Sequence, residues 1–560
     1  MKKIFILLTA AVFAVSCSDN LESLNENIKD PNMVSGESLF AAAQKRLADQ
    51  MLTPNVNLNN NRLWVQHWNE TTYQDESNYD QVTRSIPDNH WRVMYRDVLR
   101  NLKEAAKVIA ETDYEPTNPQ KPNKLAIIEI LNVYAYSNLV ETYGDIPYSE
   151  ALDIDHTLPK FDDAMTVYKD LLQRLDAALA QLNSETSFTV NEDLIYQGNA
   201  DSWRKFGNTL KLRMGMTLAD VDAALSKATV ESAVSGGVFA SNDDTAEYAY
   251  SAAAPNNNPV NDNLVLSGRN DYVAAQTLVD IMNALKDPRR ADYFDPNIRE
   301  TIGTVASVST GGGITTITFT ENYEAEPIIG NNAYIPTSDP EIPLKLGVIT
   351  AVGDDFIEVV ATDAEIHAGD EVFYGIYKGA QPGRQSRYVE WTHVNRSMVP
   401  GDVPGVLLSY IEAEFLMAEG AARGYNVGGS AEDHYNAGIA ASFEYWGTPG
   451  LSAYLANPDV AYASAIANST ATPAWKEVIG TQAWIALYNE TFATWLSVRR
   501  LDYPILVQPY RAKTGYPVRY TYPVSEQNLN PTNYAEAANA IGGDAPETRL
   551  FWDKFYTFDF

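Results

Sequence analysis

Residues 405–424 read GVLLSYIEAEFLMAEGAARG, and residues 431–446 read AEDHYNAGIAASFEYW. In the first stretch Leu407, Leu408, Ile411, Phe415, Ala418 and Ala422 recur at the three- and four-residue spacing of one helix face. Gly424 follows as a C-terminal stop. The second stretch, Ala431 to Tyr445, is again rich in alanine and aromatics. The segment 424–429, GYNVGG, joins the two as a hairpin. Ala413, Ala418, Ala421, Ala422, Ala437 and Ala441 are small enough to let the helices approach closely. The pattern predicts a helix pair resembling a tetratricopeptide unit, without a clean repeat of about 34 residues.

Working outward, the same period recurs upstream. Ala164, Val167, Tyr168, Leu171, Leu172, Leu175, Ala178, Leu179 and Leu182 form one apolar stripe. Asp162 and Asp163 stand before it, where the helix dipole favours negative charge. Residues 124–141 carry another helix, with Ile127, Ile128, Leu131, Tyr134, Ala135 and Leu139. The period then breaks. Residues 301–375 gain Thr, Ile, Val and Gly, and 314–319 (ITTITF) and 356–360 (FIEVV) read as strands. Gly311-Gly312-Gly313 and Gly353-Asp354-Asp355 read as hairpin turns. GTVASV at 303–308 and GVITAV at 347–352 look like a weak internal duplication. The fold class is therefore mostly α, with a small β-rich insertion over 301–375.

Composition narrows the function. The chain has 560 residues, 41 Lys+Arg against 73 Asp+Glu, and a formal net charge of −32. A polyanion of this kind repels phosphate backbones, so no nucleic-acid partner is expected. One cysteine permits no multi-thiolate zinc site, and the six histidines form no HExxH pair. Asp153-Ile154-Asp155-His156 lacks the glycine and distal glutamate of a calcium loop. The glycine run at 311–313 has no following Lys-Ser/Thr, and there is no GxSxG elbow. No metal, no cofactor and no catalytic constellation is expected.

Residues 1–16 form a secretory signal, with Lys2 and Lys3 before an apolar run from Ile4 to Val15. The single cysteine, Cys17, closes it after Ser16 and resembles a bacterial lipobox, without the usual leucine at Ala14. The thiol would take a diacylglycerol thioether, and several acyl chains would anchor the protein in outer-membrane lipid. Residues 17–36 then form the lipidated tether and 37–560 the helical domain. Acidic Asp19 and Glu22 behind the cysteine resemble a surface-export signal.

Six strings in order point to a family. They are YGDIPYSEA at 143–151, KFGNTLKLRM at 205–214, Asp287-Pro288-Arg289, AEFLMAEGAARG at 413–424, the segment 480–500 ending in Arg499-Arg500, and YTYPVSEQN at 520–528. Together they resemble the SusD/RagB nutrient-binding lipoproteins, in particular the second SusD-like subgroup. The resemblance implies four tetratricopeptide-like helix pairs, an irregular loop-rich binding face, and a place on the outer membrane facing the cell exterior. It also implies a partner, a SusC-type TonB-dependent transporter, and an oligosaccharide or peptide as ligand. It says nothing secure about 301–375.

Ligand candidates lie where aromatics sit on polar loops. Sugar rings present apolar C–H faces to aromatic platforms and hydroxyls to planar polar groups. The segment 57–91 interleaves Trp64, His67, Trp68, Tyr73, Tyr79 and Trp91 with polar residues. Trp64, Trp91 and Tyr95 fit core stripes at helical spacing. Tyr73 and Tyr79 are expected exposed, with Trp68 between the two classes. Asn78 and Arg84 are candidate hydrogen-bonding partners. A second candidate loop, 256–272, offers Arg269 and Tyr272, and a third, 377–391, offers Tyr377 and Trp391. Oligosaccharide capture for a SusC-type transporter is the leading expectation. Peptide capture, a surface glycoside hydrolase and an adhesin without soluble ligand are the alternatives.

Overall fold

The computed structural model describes residues 34–114, 120–183, 186–325, 327–338, 343–360 and 364–555. The signal at 1–16, Cys17 and the tether up to residue 33 lie outside the described residues. Helix α1 (Gly36–Leu52) opens the body, with the Ser35 hydroxyl accepting from the Ser38 amide as its N-cap. A three-residue strand β1 (Trp68–Glu70) follows, and then helix α2 (Arg100–Glu111), which packs back on α1.

Four helix hairpins form the scaffold. The first pairs α3 (Lys121–Tyr143) with α4 (Ala164–Gln181), and the second pairs α5 (Ala200–Thr217) with α6 (Ala223–Gly236). The apolar stripe read at 164–182 is buried, and the Asp163 carboxylate caps α4 by accepting from the Thr166 amide at 2.8 Å. Strands β2 (Ala246–Tyr248) and β3 (Tyr272–Ala274) come next. Beyond the β-rich region, a short strand β10 (Gly405–Leu408) leads into the third hairpin, α7 (Tyr410–Ala422) with α8 (Ala431–Trp446). The fourth pairs α9 (Ala474–Ala486) with α10 (Thr491–Leu501).

The stretch that opens the sequence reading is corrected at its start. Leu407 and Leu408 belong to β10, not to the helix, because β10 pairs antiparallel with β2 and Ser409 then caps α7 through the Glu412 amide. Ser430 and Asp433 close a reciprocal capping box at the start of α8. Between the second and third hairpins, Arg213 of α5 donates through Nε to Glu412 of α7 at 2.7 Å, with both side chains buried. Arg500 of α10 pairs with the buried Glu419 of α7. Arg499 instead donates to the carbonyls of Glu141 and Val518, its guanidinium 3.4 Å from the Trp495 ring centroid.

The β-rich region is a closed six-stranded barrel: β4 (Arg299–Gly311), β5 (Ile314–Phe319), β6 (Asn332–Ile335), β7 (Leu344–Val352), β8 (Phe356–Val360) and β9 (Glu371–Gly375). Their order around the barrel is β4-β5-β8-β7-β6-β9, with every pairing antiparallel. Closure leaves no free sheet edge. Its interior is a separate apolar cluster that includes Ile302, Val305, Ile317, Ile349, Ile357 and Val372.

The duplication read in the sequence has a structural counterpart here. Exchanging β4, β5, β6 for β7, β8, β9 maps the strand order onto itself. The irregularities map as well. The β4–β5 register shifts between Val305 and Ser307, and the β7–β8 register between Ile349 and Ala351. The β4–β9 register shifts between Thr301 and Gly303, and on the other side Lys345 and Gly347 flank the matching shift against β6. These are equivalent positions of the GTVASV and GVITAV strings, so each copy bends at the same two places.

Candidate functional site

Strands β1 and β3 are short, but their pairing gathers the candidate loops. Trp68 faces Ala274, Asn69 faces Val273, and Glu70 faces Tyr272 across an antiparallel ladder. This joins the 57–91 segment to the end of the 256–272 loop. The third loop closes on the same ladder: the Ala380 amide donates to the Ala274 carbonyl, and the Ala274 amide to the Thr392 carbonyl, each at 2.9 Å. Side chains lock the junction. Thr71 donates to the Asn270 carbonyl at 2.8 Å, and Asn69 accepts from the Gly383 amide at 2.9 Å. Three stretches that are separate in the chain thus form one face.

Several of the candidate rings point inward, which corrects the expectation of exposure. Trp68 is 1% exposed; its indole N–H donates to the Tyr488 hydroxyl at 2.8 Å, and the Arg62 guanidinium sits 4.6 Å from its ring centroid. Tyr79 is fully buried, edge-on to Tyr516, and accepts from Gln66. Tyr272 is buried with its hydroxyl donating to the Pro54 carbonyl at 2.7 Å. Tyr377 is buried beside Phe294, its ring centroid 5.3 Å from the Arg290 guanidinium. Asn78 is occupied: it donates to the carbonyls of Gln74 and Gly383 and accepts from the Arg511 amide. The physical reason is common to all five. Each is covered by a segment distant in the chain: Trp68 by Tyr488 and Arg62, Tyr272 by the turn at Pro54, Tyr377 by Phe294 and Arg290, and Asn78 and Tyr79 by the stretch from Arg511 to Tyr516, so the rings become foundation rather than platform. Trp64 and Trp91 are buried as the helical spacing predicts, and Tyr95 is half-buried.

Tyr73, Arg269, Arg84 and Trp391 remain at the surface. Tyr73 is 64% exposed and adopts a left-handed backbone at φ +57°, a conformation uncommon for a bulky side chain. The Arg269 guanidinium lies over its ring, 5.8 Å from the centroid, and pairs with Asp271. Below them a cleft of about 210 Å³ is walled by Tyr73, Arg84 and Arg269, with Glu70 among its lining residues. Glu70 is buried and held by the amide and hydroxyl of Ser77 at 3.0 and 2.9 Å. Burial, and then the neighbouring Glu76 carboxylate, push the Glu70 carboxyl well above its ordinary value. Burial raises Glu76 too, against the Arg84 guanidinium 2.7 Å away.

Arg269, Asp271 and Tyr272 are shared with a larger cleft of about 740 Å³, which reaches Asp295, Arg299, His393 and Arg396. Sequence reading missed these last four. They come from the barrel entrance and the 393–396 turn, and no local pattern ties either to 57–91. On the other side of the 386–391 segment lies a hollow of about 660 Å³, bordered by Gln381, Arg384 and half-buried Trp391, with the Lys378 ammonium 5.1 Å from the Trp391 ring centroid. A separate apolar cleft of about 310 Å³ between barrel and helices, lined by Leu285, Ile349 and Tyr454, includes none of the three loops.

The comparisons with known proteins agree with this architecture. A family model described as "SusD-like_2: Starch-binding associating with outer membrane" matches residues 28–335 and 352–523. The chain belongs to this SusD-like family. Among solved structures, a chitin-binding SusD homolog from Flavobacterium johnsoniae is 23% identical, with 93% of this chain and 98% of that one covered and a TM-score of 0.66. A SusD homolog from Bacteroides thetaiotaomicron is 22% identical over 94% of this chain and 100% of that one, with a TM-score of 0.65. One from Bacteroides uniformis is 23% identical over 92% and 99%, with a TM-score of 0.66. No curated protein matches the chain. The SusD-like protein thus shares the fold of these structures. Among its described residues no helix is long and apolar enough to cross a membrane, and no group of three or more His, Cys, Asp or Glu side chains is placed to hold a metal ion.

Proposed function

We propose that this SusD-like protein captures oligosaccharides at the Tyr73–Arg269 face and delivers them to a SusC-type TonB-dependent transporter of the outer membrane. The observation that carries the reading is the convergence of three loops on the β1–β3 ladder, with Tyr73 held exposed beside two clefts. A left-handed tyrosine costs about 1–2 kcal/mol in backbone energy. Strain of this kind gathers where a side chain must be presented. A ring beside guanidinium and amide groups offers both kinds of surface that a sugar requires. The family's association with the outer membrane supports the location, and an acylated Cys17 would supply the anchor, lipid side in and binding face out.

The reading is of a binding protein, not an enzyme. Glycosidases hold their two carboxyls about 5–10 Å apart to act on opposite sides of one bond. Glu70, the one carboxyl of the 57–91 segment that lines this cleft, is instead buried and held by Ser77, and its neighbour Glu76 is paired with Arg84. The test is titration of the purified full chain with neutral, acidic and amino oligosaccharides and with peptides, followed by intrinsic tryptophan fluorescence. Saturable binding of at least one oligosaccharide, without new reducing ends on long incubation, is expected. A response to peptides alone would replace the glycan by a peptide as cargo. New reducing ends would make the protein a hydrolase.

A further inference from the structure

The cleft shared by Arg269 and Arg396 runs against the charge of the rest of the molecule. The chain carries 41 basic and 73 acidic side chains. The 740 Å³ cleft instead brings together Arg269, Arg299, Arg396 and His393 against only Asp271 and Asp295. The three arginines arrive from three separate stretches: the loop before β3, the first residue of β4, and the turn after His393. All three are exposed.

Two of the arginines are held in a particular way. Arg269 donates through Nε to Asp271, and Arg396 donates through Nε to Asp295 at 3.2 Å. Neither makes a hydrogen bond from its terminal nitrogens among the described residues. Each guanidinium is therefore positioned by its carboxylate while its paired outer N–H groups remain available. That is the fork which binds a carboxylate or sulfate in two parallel hydrogen bonds. Tethering removes part of the ordering cost that a free arginine would meet on binding. Arg299 adds a third positive charge, its guanidinium over the Phe373 ring at 4.6 Å. Tyr73, on the other side of Arg269, places an aromatic surface next to the anion site.

We propose that the ligand is an acidic oligosaccharide, its carboxylate or sulfate group held between Arg269 and Arg396 while an adjoining sugar ring lies on Tyr73. This rests on the oligosaccharide-binding reading above and narrows it to a charged class. The net charge of −32 sets a second expectation. An anionic glycan is repelled by the surface at large, so recognition depends on the local arginines and discriminates strongly against anions that cannot reach them.

The experiment titrates the full chain with three probes of similar length: an oligogalacturonate, a sulfated chondroitin oligosaccharide, and neutral chitohexaose. The same titrations are run on Arg269→Gln, on Arg396→Gln and on the double variant, with circular dichroism to check the fold. The expected result is saturable binding of one or both acidic probes, and weaker or no binding of the neutral one. Each single variant should weaken the acidic probe by about tenfold, the loss of one charge-assisted pair, and the double variant, which removes both, by more than either single change. Which acidic probe binds tells carboxylate from sulfate. Binding of chitohexaose alone overturns the acidic class and leaves the capture function standing. Acidic binding that is unchanged in the single exposed variant Arg269→Gln, and unchanged in the unmodified protein when NaCl rises from about 50 mM to about 500 mM, overturns the arginine site. If no glycan of either charge binds, both readings fall together.

Discussion

The guanidinium of Arg269 lies over the ring of Tyr73, 5.8 Å from its centroid. The two residues are far apart in sequence and meet because Glu70 pairs with Tyr272 across the β1–β3 ladder. The cation steadies a ring that stays largely in solvent. Tyr73→Ala should therefore leave folding intact and weaken glycan binding by about five- to tenfold, from the loss of one stacking surface. Calorimetric titration of the variant checks this. An unchanged Kd moves the ligand to the Trp391 hollow.

Trp68 gives the opposite expectation. It is buried, bonded to Tyr488 and covered by Arg62. Trp68→Ala should cost about 3–5 kcal/mol of stability, read as a lower denaturant midpoint. If the variant instead keeps its midpoint and loses only binding, Trp68 is a platform after all.

The paired carboxyls under the cleft predict a pH dependence. The Glu70 carboxyl is held well above its ordinary 4.5, by burial first and by Glu76 second. The stability this contributes is complete below pH 4.5 and is lost as pH rises through the raised value in the folded state. Glu70→Gln mimics the protonated form and should flatten that part of the stability–pH curve. Denaturation midpoints measured from pH 5 to about 9 decide it; parallel curves for the variant and the parent would sink the assignment.

Arg213 and Glu412 tie the second helix hairpin to the third with both side chains buried. Removing one charge leaves the other unpaired in the interior, which costs about 3–5 kcal/mol. Glu412→Gln should lower the melting temperature clearly. The double change Arg213→Met with Glu412→Leu should recover much of the loss, as a hydrophobic replacement of the pair.

Within the barrel, the two duplicated glycines are not equivalent in tolerance. Gly347 has φ +135°, and a Cβ there would sit 3.0 Å from the Val360 carbonyl oxygen. Gly303 lies outside the left-handed region, and its Cβ would come 3.4 Å from the Phe319 ring, near ordinary contact. Gly347→Ala should cost about 1–3 kcal/mol and Gly303→Ala distinctly less, measured by thermal unfolding of each full-length variant. Equal losses would mean that the two bends carry the same strain.

Much of the scaffold was legible in advance. The stripe from Ala164 to Leu182, the hairpin 410–446 and the strands 314–319 and 356–360 follow from side-chain period, caps and turn residues, all of which act within a few positions. Leu407 and Leu408 show where this stops. Their spacing continues the helical stripe, yet pairing with β2 at Val406 and Leu408, on either side of Leu407, keeps the stretch extended until Ser409 caps the helix. The binding face was legible only in part. The three loops stand out by composition, but which of their rings meets water depends on pairings between distant segments.

The sequence by itself determined that this is a strongly acidic, mostly helical chain with a β-rich module, and it carries the strings of the SusD-like family, because period and motif are local properties. Tertiary structure alone decided that Trp68, Tyr79, Tyr272 and Tyr377 are foundation while Tyr73 is presented. It alone brought Arg299 and Arg396 to the cleft beside Arg269. Burial and convergence are set by long-range ladder pairing and by the packing of segments that no spacing rule connects.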